Sequence, residues 1–434
     1  MGVTLKRALD FNRLVAVTMG TPLASSVFVS ILLMVFTAGD LASLLLGIVI
    51  CTGLVVMASF SYGELASIYP SAAGNRVFLK KPLGDRTALI LSLMWIFVIL
   101  GAAGVESFVL GVVLNFMFPW LPAFAWSLIS LTAIVLVNLM GVELSGNFQT
   151  VITYFIAAVL IVVSLIAIAG SPSGTVALGP LDPVAALSAA AVGVYFFLGF
   201  GRVTTLGEEA VDFKRGIPKA MPVGVLTLGV VFLLVSTAIY ERVPYSGLLN
   251  TVTPQILLGK YMIPNANFAI LLAVISAIMS FSTFNAGILG TSRLVYALGR
   301  EGSLPKSLGK IESRHFTPYA ALLFLYFTVI IFVLLVYLTR NFFLPLIVAA
   351  GFDSFMYALI GYSAYWHKKR VGEGETPFTF RGFGAMYIAT AVLFTLLGIA
   401  ALTIQVYAAP VIVLSLLILL LYVTVSRRWN RHPS

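Results

Sequence analysis

The sequence predicts an all-α polytopic membrane protein, and three observations carry that prediction. The chain has 434 residues, of which 60% are hydrophobic and only 10% are charged, and its mean hydropathy is +1.06. A soluble domain carries far more charged surface than this. Uncharged runs of about 20 residues, the length that crosses a bilayer as a helix, recur from one end of the chain to the other.

The uncharged runs predict about twelve transmembrane helices, and "YAAP" at 407–410 separates the last two. The predicted spans are 15–37, 41–62, 87–117, 123–141, 149–170, 184–211, 219–240, 265–296, 318–339, 343–366, 381–403 and 408–426.

Basic residues predict the orientation of the chain. An even number of spans puts both termini on one side. Of the 26 lysines and arginines, only Arg242, Lys260 and Arg340 fall in loops on the opposite side. The positive-inside rule therefore predicts cytoplasmic termini in the cell membrane. This asymmetry explains the net charge of +10 without a nucleic-acid partner. Cys51, the single cysteine, lies within a span, so we expect no disulfide-linked subunit.

Two predicted spans contain helix-breaking residues in matching positions. The first span carries Pro22 within "MGTPLASSVFVS", and the sixth carries Gly199 and Gly201 within "YFFLGFGRVTTLGEEA". Irregular backbone at membrane depth survives only where protein or a polar cavity surrounds it. Matching interruptions of this kind indicate the binding site of a secondary transporter built from inverted repeats. Two ordinary kinks are the alternative.

The predicted organisation is one membrane domain, 1–434, with two five-helix repeats and two further helices. The first repeat covers 15–170, the inverted second repeat covers 183–367, and the additional pair covers 380–426.

Four stretches resemble the amino acid–polyamine–organocation permeases. They are "GFGRVTTLGEEAVDFKRGIPKAMPVGV" at 199–225, "TFNAGILGTSRLVYALGREGSLPKSLGK" at 283–310, "GELASIYPSAAGN" at 63–75 and "NLMGVELSGNFQ" at 138–149. The resemblance covers nearly the whole chain. It implies a leucine-transporter-like fold of five plus five helices and transport by alternating access, with no cofactor.

Three positions depart from the pattern of these permeases. Ala24, Ser25 and Ser26 stand where the family usually has Gly-Ser-Gly in helix one. Gly201 stands where many relatives carry an acid. Ile156 aligns with a helix-five lysine that occupies a sodium-like site in some proton-coupled relatives, so that lysine mechanism cannot operate here.

The resemblance also implies which residues contact the substrate. Backbone N–H groups of the broken first helix should bind a carboxylate, and backbone carbonyls beside the two breaks should face an ammonium. Tyr195 or Phe196 should form an aromatic lid, with ordinary core or lipid packing as the alternative. The predicted substrate-binding residues are Leu23, Ala24, Ser25, Ser26, Phe197, Leu198, Gly199, Phe200, Gly201 and Asn285.

Three charged residues, Glu106, Asp353 and Arg202, lie well inside predicted spans, where charges are costly and usually functional. Burial favours the neutral form of a carboxyl. We therefore expect Glu106 to carry a coupling proton or to contact a cationic substrate; a structural carboxyl is the alternative. Asp353 is a second proton candidate or part of a gate, or has a structural role.

Arg202 has three interpretations at this level. It pairs with Glu106 or Asp353, it reaches along helix six towards the cytoplasm, or it holds an inner gate shut. Reaching towards water is common for a long cationic side chain near the end of a span.

Hydroxyl side chains in the eighth span suggest a candidate sodium site. Ser282 and Thr283 resemble a hydroxyl pair that helps to bind sodium in distant relatives with this fold. Serine and threonine also bond their own helix backbone, which is the alternative. The sequence suggests no other metal site.

Several functions remain open from the sequence alone. A proton-coupled transporter of an amino acid or related amine leads, with an exchanger and a sodium-coupled symporter as alternatives. A non-transporting nutrient sensor is the alternative of another class. Broken helices favour an enclosed midplane site over a channel. An enzyme is not expected, because the sequence offers no metal-ligand cluster and no nucleophile–base pair.

Overall fold

The computed structural model describes residues 9–69, 74–139, 146–170, 179–207, 210–262, 267–311, 318–371 and 383–431. The regular elements in these ranges are helices, and one isolated parallel bridge joins Leu9 to Ala210. The α-helices are α1 Phe11–Gly20, α2 Val27–Ala38, α3 Leu41–Ile68, α4 Asn75–Leu83, α5 Asp85–Met117, α6 Ala123–Leu139, α7 Gly146–Ala169, α8 Pro183–Gly193, α9 Gly216–Arg242, α10 Tyr245–Leu248, α11 Pro254–Met262, α12 Asn267–Arg300, α13 Tyr319–Thr339, α14 Phe343–Val371, α15 Phe383–Ile404 and α16 Ala408–Arg431. The 3₁₀ segments are Val194–Phe197, Phe200–Leu206 and Lys306–Gly309.

The helices are long and apolar enough for a polytopic membrane protein. Within the described ranges, nine helical segments could cross a bilayer by length and composition, and three shorter apolar helices accompany them at Val27–Ala38, Ala123–Leu139 and Phe268–Phe284. The all-α polytopic class is thereby confirmed. The number of twelve spans stays a prediction.

The first span is broken where the sequence predicts it. Helix α1 ends at Gly20 and α2 begins at Val27. Pro22 has no amide hydrogen and its ring clashes with the preceding turn, which kinks or breaks a helix; here the helix breaks. Residues 21–26 are all buried. The backbone groups freed by the break therefore need partners from the protein itself.

The sixth span is broken at Gly199. Helix α8 gives way to two 3₁₀ segments, and Leu198 and Gly199 separate them. Gly199 has φ +91°, in the left-handed region that favours glycine. A Cβ atom at this position would lie 2.5 Å from Thr21 Cγ2. The two breaks therefore pack directly against each other.

Two groups of contacts close the helix bundle on the side where the N-terminus lies. Arg76 of α4 pairs with Asp85 at the start of α5, at 3.5 Å, and with Glu301 just beyond α12, at 2.5 Å. The bridge from Leu9 to Ala210 ties the segment before α1 to the segment after the sixth span. Both halves of the bundle are thus joined at this end.

Replacing Gly199 by alanine should lower the apparent unfolding temperature of the purified protein. The left-handed backbone costs alanine about 1–2 kcal/mol, and the added Cβ would meet Thr21 Cγ2 at 2.5 Å. A thermal unfolding scan in detergent measures the effect, and adding Thr21→Ala should recover part of it.

Gly53→Ala is the matched control, because no atom lies within 4 Å of a Cβ built on this glycine in α3. Alanine is the better helix former, so this variant should unfold at the wild-type temperature or slightly above. A Gly199→Ala variant that is as stable as Gly53→Ala would contradict the close packing of the two breaks.

Candidate functional site

A cavity lies beside the two helix breaks. Its walls come from the connection between α1 and α2, from the 3₁₀ region after α8, and from α5, α12 and α13. Apolar side chains form much of the wall. The polar side chains that line it are Thr21, Ser26, Glu106, Tyr195, Arg202, Thr283 and Thr291.

Glu106 binds the backbone at the start of α2. Its Oε1 accepts a hydrogen bond from the Ser25 N–H at 3.0 Å, and its Oε2 accepts one from the Ser26 N–H at 2.8 Å. The N-terminus of a helix has free N–H donors and a positive dipole end, which together favour an anion. The Glu106 side chain, only 4% exposed, thus holds the amides that the sequence assigns to a substrate carboxylate.

Thr283 performs the complementary role at the end of α1. Its hydroxyl contacts the carbonyl oxygens of Gly20, at 3.2 Å, and Leu23, at 3.1 Å, as a donor. These carbonyls lie at the break, where the regular pattern of helical hydrogen bonds is interrupted. The hydroxyl therefore bonds across to another helix, and the Leu23 carbonyl that was predicted to face an ammonium is already an acceptor. Ser282, the other predicted sodium ligand, lies half-buried next to it.

Of the two aromatic residues predicted as a lid, Tyr195 lines the cavity. Its hydroxyl forms a hydrogen bond with Ser26 Oγ at 3.0 Å, which joins the two breaks. Phe196 and Phe197 pack instead against Phe232 of α9, with ring centroids 4.8 and 5.9 Å away. The lid role stays a prediction, and the geometry gives it to Tyr195.

The remaining predicted residues of the sixth span face two different ways. Leu198 lines the cavity, as Ala24 does across from it. Phe200 packs edge-to-face on Tyr62 of α3, with ring centroids 5.4 Å apart, and a Cβ on Gly201 would lie 3.2 Å from the same Tyr62 ring. Phe200 and Gly201 thus face the core, which makes them supports for the break.

Arg202 lies on the cavity wall and interacts electrostatically with Asp353 of α14. Its guanidinium carbon is 5.9 Å from the centroid of the Trp95 ring, within the range of a cation–π contact. Asp353 also forms a hydrogen bond with Tyr357. Of the three interpretations of Arg202, this arrangement favours the one in which it pairs with a buried carboxyl.

Some residues at the site were not predicted, and one predicted residue cannot be placed. The side chain of Asn285 lies outside the described part of the structure. Thr21, Gly287 and Trp95 contact the site or its charged residues but were not predicted. Thr21 adjoins the helix-breaking Pro22, which is a usable signal. Nothing in the sequence points to Trp95, because an aromatic residue in an apolar span is ordinary.

The comparison with protein families decides the identity at the level of the family. The family model described as amino acid permease matches residues 14–434. The chain belongs to the amino acid permease family. Proteins of this family are transporters, so this permease is a multi-pass membrane transporter and not an enzyme.

Two curated relatives are named for the transport of amino acids. The permease is 25% identical over 346 residues to the cystine/glutamate transporter of Homo sapiens, covering 75% of this chain and 67% of that protein. It is 25% identical over 342 residues to the branched-chain amino acid permease BcaP of Bacillus subtilis, covering 73% of this chain and 72% of the relative.

A solved structure with a similar backbone shows the fold. The crystal structure of a mutant manganese transporter from Eremococcus coleocola superimposes with a TM-score of 0.65 and covers 96% of this chain and 94% of its own. The sequence identity is 12%, so the likeness extends to the fold alone. The leucine-transporter-like fold expected from the sequence is confirmed.

Replacing Thr283 by valine should destabilise the permease. The change keeps the shape of the side chain but leaves the Gly20 and Leu23 carbonyls without the hydroxyl, and an unsatisfied buried polar group costs about 1–3 kcal/mol. A thermal unfolding scan should show a lower apparent unfolding temperature.

Thr283→Ser retains the hydroxyl and is the matched control. It should stay close to the wild type, apart from the loss of one methyl group. Equal unfolding temperatures for the valine and serine variants would show that the hydroxyl does not stabilise the break.

Proposed function

We propose that this permease is a secondary active transporter that moves an amino acid or a related amine across the cell membrane by alternating access, coupled to protons. The observation that carries the proposal is the Glu106 carboxylate on the N–H groups of Ser25 and Ser26. The relatives named for cystine, glutamate and branched-chain amino acids support an amino acid as the substrate.

Substrate binding would compete with Glu106 for the same two donors. An amino acid carboxylate satisfies the amides of Ser25 and Ser26 as well as the Glu106 carboxylate does, and both cannot occupy them together. When the substrate takes the amides, Glu106 loses two hydrogen bonds inside a largely apolar cavity. A buried carboxylate without donors is costly, and the group takes up a proton instead.

This competition is sufficient to couple the uptake of one proton to the binding of each substrate molecule. Glu106 accepts from the amides of Ser25 and Ser26, the Tyr195 hydroxyl interacts with it electrostatically, and the Arg202 guanidinium lies elsewhere on the cavity wall. The amides can hold one carboxylate, so Glu106, once displaced from them, would become neutral. Substrate and proton therefore enter the site together. Asp353, which interacts with Arg202, remains the second candidate for a coupling proton.

The contacts of Thr283 favour protons over sodium as the coupling ion. Carbonyl and hydroxyl oxygens are suitable ligands for a hard cation. The carbonyl oxygens of Gly20 and Leu23 instead accept from the Thr283 hydroxyl. A sodium ion would have to replace a bond that already stabilises the break. Sodium coupling is therefore the less favoured alternative.

An exchanger or a nutrient sensor could be built around the same cavity. An exchanger would move one substrate only against another, and a sensor would bind substrate without net flux. The closed contacts at Arg76 and Leu9 suit either function as well as a symporter, because each needs a side of the bundle that opens and closes. Flux measurements therefore have to separate the three.

The apolar outer surface and the basic residues support the placement in the cell membrane. Leu338, Leu396 and Leu421 are exposed to between 57% and 76% on the outer faces of their helices, where membrane lipid would cover them. The bias of lysine and arginine towards the loops on the N-terminal side supports cytoplasmic termini.

Uptake by purified protein in liposomes tests the function. Radiolabelled amino acids and amines would be offered under an imposed pH gradient and, separately, under a sodium gradient. Accumulation driven by the pH gradient alone is expected. Binding without flux under either gradient or in counterflow would favour the sensor and overturn the transporter.

Glu106→Gln should abolish accumulation driven by a pH gradient while counterflow of the same substrate persists. A glutamine side chain cannot carry the proton, but it leaves the cavity close to its original shape. The measurement compares gradient-driven uptake with counterflow in the same liposomes.

Glu241→Gln is the matched control, since Glu241 lies at the end of α9 and does not line the cavity. This variant should keep the wild-type response to the pH gradient. If Glu106→Gln also keeps it, Glu106 is not the proton site.

A further inference from the structure

The cavity continues from the helix breaks along α5 and α12 towards the side where the N-terminus lies. Ile99 and Leu100 of α5 and Ile288 of α12 form apolar walls there, and Leu325 and Val329 of α13 cover them. Of the described residues that line the cavity, Glu106 and Arg202 are the charged ones. Glu106 is held at the amides, so the continuation has a cationic wall.

The guanidinium of Arg202 is fixed in place by what surrounds it. It lies over the Trp95 ring. A Cβ on Gly287 would sit 3.3 Å from Arg202 Nη1, and a Cβ on Gly199 would sit 3.4 Å from Arg202 Nε. The glycine at position 287 thus lets the guanidinium lie close to α12, on the cavity wall.

The residues of α12 that lie beside the first break and beside Arg202 are about one helical turn apart. Gly287, which Arg202 contacts, follows Thr283 by about one helical turn, roughly 6 Å of rise. Thr283 marks the level of the first break through its contacts with Gly20 and Leu23. A side chain with two or three methylene groups spans a distance of this order.

We propose that Arg202 reads the side chain of the substrate, and that this permease prefers amino acids whose side chain ends in a carboxylate or an amide oxygen. The inference rests on the proposed function, because it places the α-carboxylate at Ser25 and Ser26. The planar guanidinium presents five N–H donors, a fork that matches a carboxylate. Asp353, its electrostatic partner, lies outside the cavity lining, so the substrate approaches the guanidinium from a different side.

The same charge selects against cationic substrates. A diamine or an amino acid with a basic side chain would place its distal ammonium near Arg202, in apolar surroundings where repulsion is weakly screened. Asp353 reduces this repulsion, but it is not one of the residues that line the cavity. The cavity therefore combines a subsite for the α-groups with a specificity position of opposite sign to Glu106.

A competition experiment on the full chain in liposomes tests the role of Arg202. Counterflow of a labelled amino acid would be measured against unlabelled glutamate, glutamine and putrescine, a diamine. In the wild type, glutamate should inhibit at a concentration roughly tenfold below that of glutamine, the difference expected between a charged and a neutral acceptor. Putrescine should inhibit least.

Variants at Arg202 should change the order of preference. Arg202→Gln should remove the advantage of glutamate over glutamine and improve inhibition by putrescine. Arg202→Lys keeps the positive charge but lacks the paired N–H donors of a guanidinium, so it should keep part of the preference for glutamate. Arg300→Gln removes an equal charge at the end of α12, beside Tyr296, and should behave as the wild type.

The outcomes separate this inference from the proposed function. Equal loss for all three competitors in Arg202→Gln would give Arg202 a structural role only and overturn the inference. Counterflow with neutral amino acids but no preference for glutamate in the wild type would also overturn it, while the transporter would stand. No counterflow with any amino acid would overturn both. Stabilisation of each variant by glutamate in a thermal scan reports binding if a variant does not transport.

Discussion

The contact on which the site depends is the pair of hydrogen bonds from Ser25 and Ser26 to the Glu106 carboxylate. A broken helix at membrane depth frees backbone donors and acceptors where no water can satisfy them. Glu106 satisfies the donors at the start of α2, and Thr283 satisfies the acceptors at the end of α1. Two side chains from two different helices thus stabilise both halves of one span. Without them, the break at Pro22 would leave buried backbone donors and acceptors without hydrogen bonds, which would destabilise the fold.

In this site, the contacts that stabilise the fold and the contacts that bind a ligand use the same groups. The donors that Glu106 uses are those that a carboxylate ligand needs, so binding must replace a contact that holds α2 in position. A ligand shifts a conformational equilibrium only through unequal affinity for its states. When a substrate carboxylate takes the place of Glu106 at these amides, α2 also loses the hydrogen bonds that hold it to α5. Substrate binding and helix movement are therefore connected through one pair of amides.

The sequence predicted the class, the breaks and the charged residues for clear physical reasons. The apolar composition predicts membrane helices. Pro22 and Gly199 predict where two of them are interrupted. Glu106 is conspicuous because the residues around it in the sequence are apolar. The hydrogen-bond partners of Glu106 could not be predicted, since Glu106 and Ser25 are 81 residues apart in the chain and meet only in the folded bundle. The orientation of Phe196 was also beyond reach, because a 3₁₀ turn has a different period from an α-helix. That change turns Phe196 to Phe232 and leaves Tyr195 at the cavity.

The glycines of "LGFGR" are explained by the position of Arg202 as much as by the break. Gly199 adopts φ +91° and separates the first 3₁₀ segment from a second one, Phe200–Leu206, which carries Arg202. The absence of a side chain at Gly199 leaves room for Thr21, and Arg202 Nε lies close to the same position. Gly287 of α12 provides the second gap. A Cβ at Gly199 would collide with Thr21, and a Cβ at Gly287 would lie 3.3 Å from Arg202 Nη1, so these glycines allow both the packing of the two breaks and the position of the guanidinium beside α12.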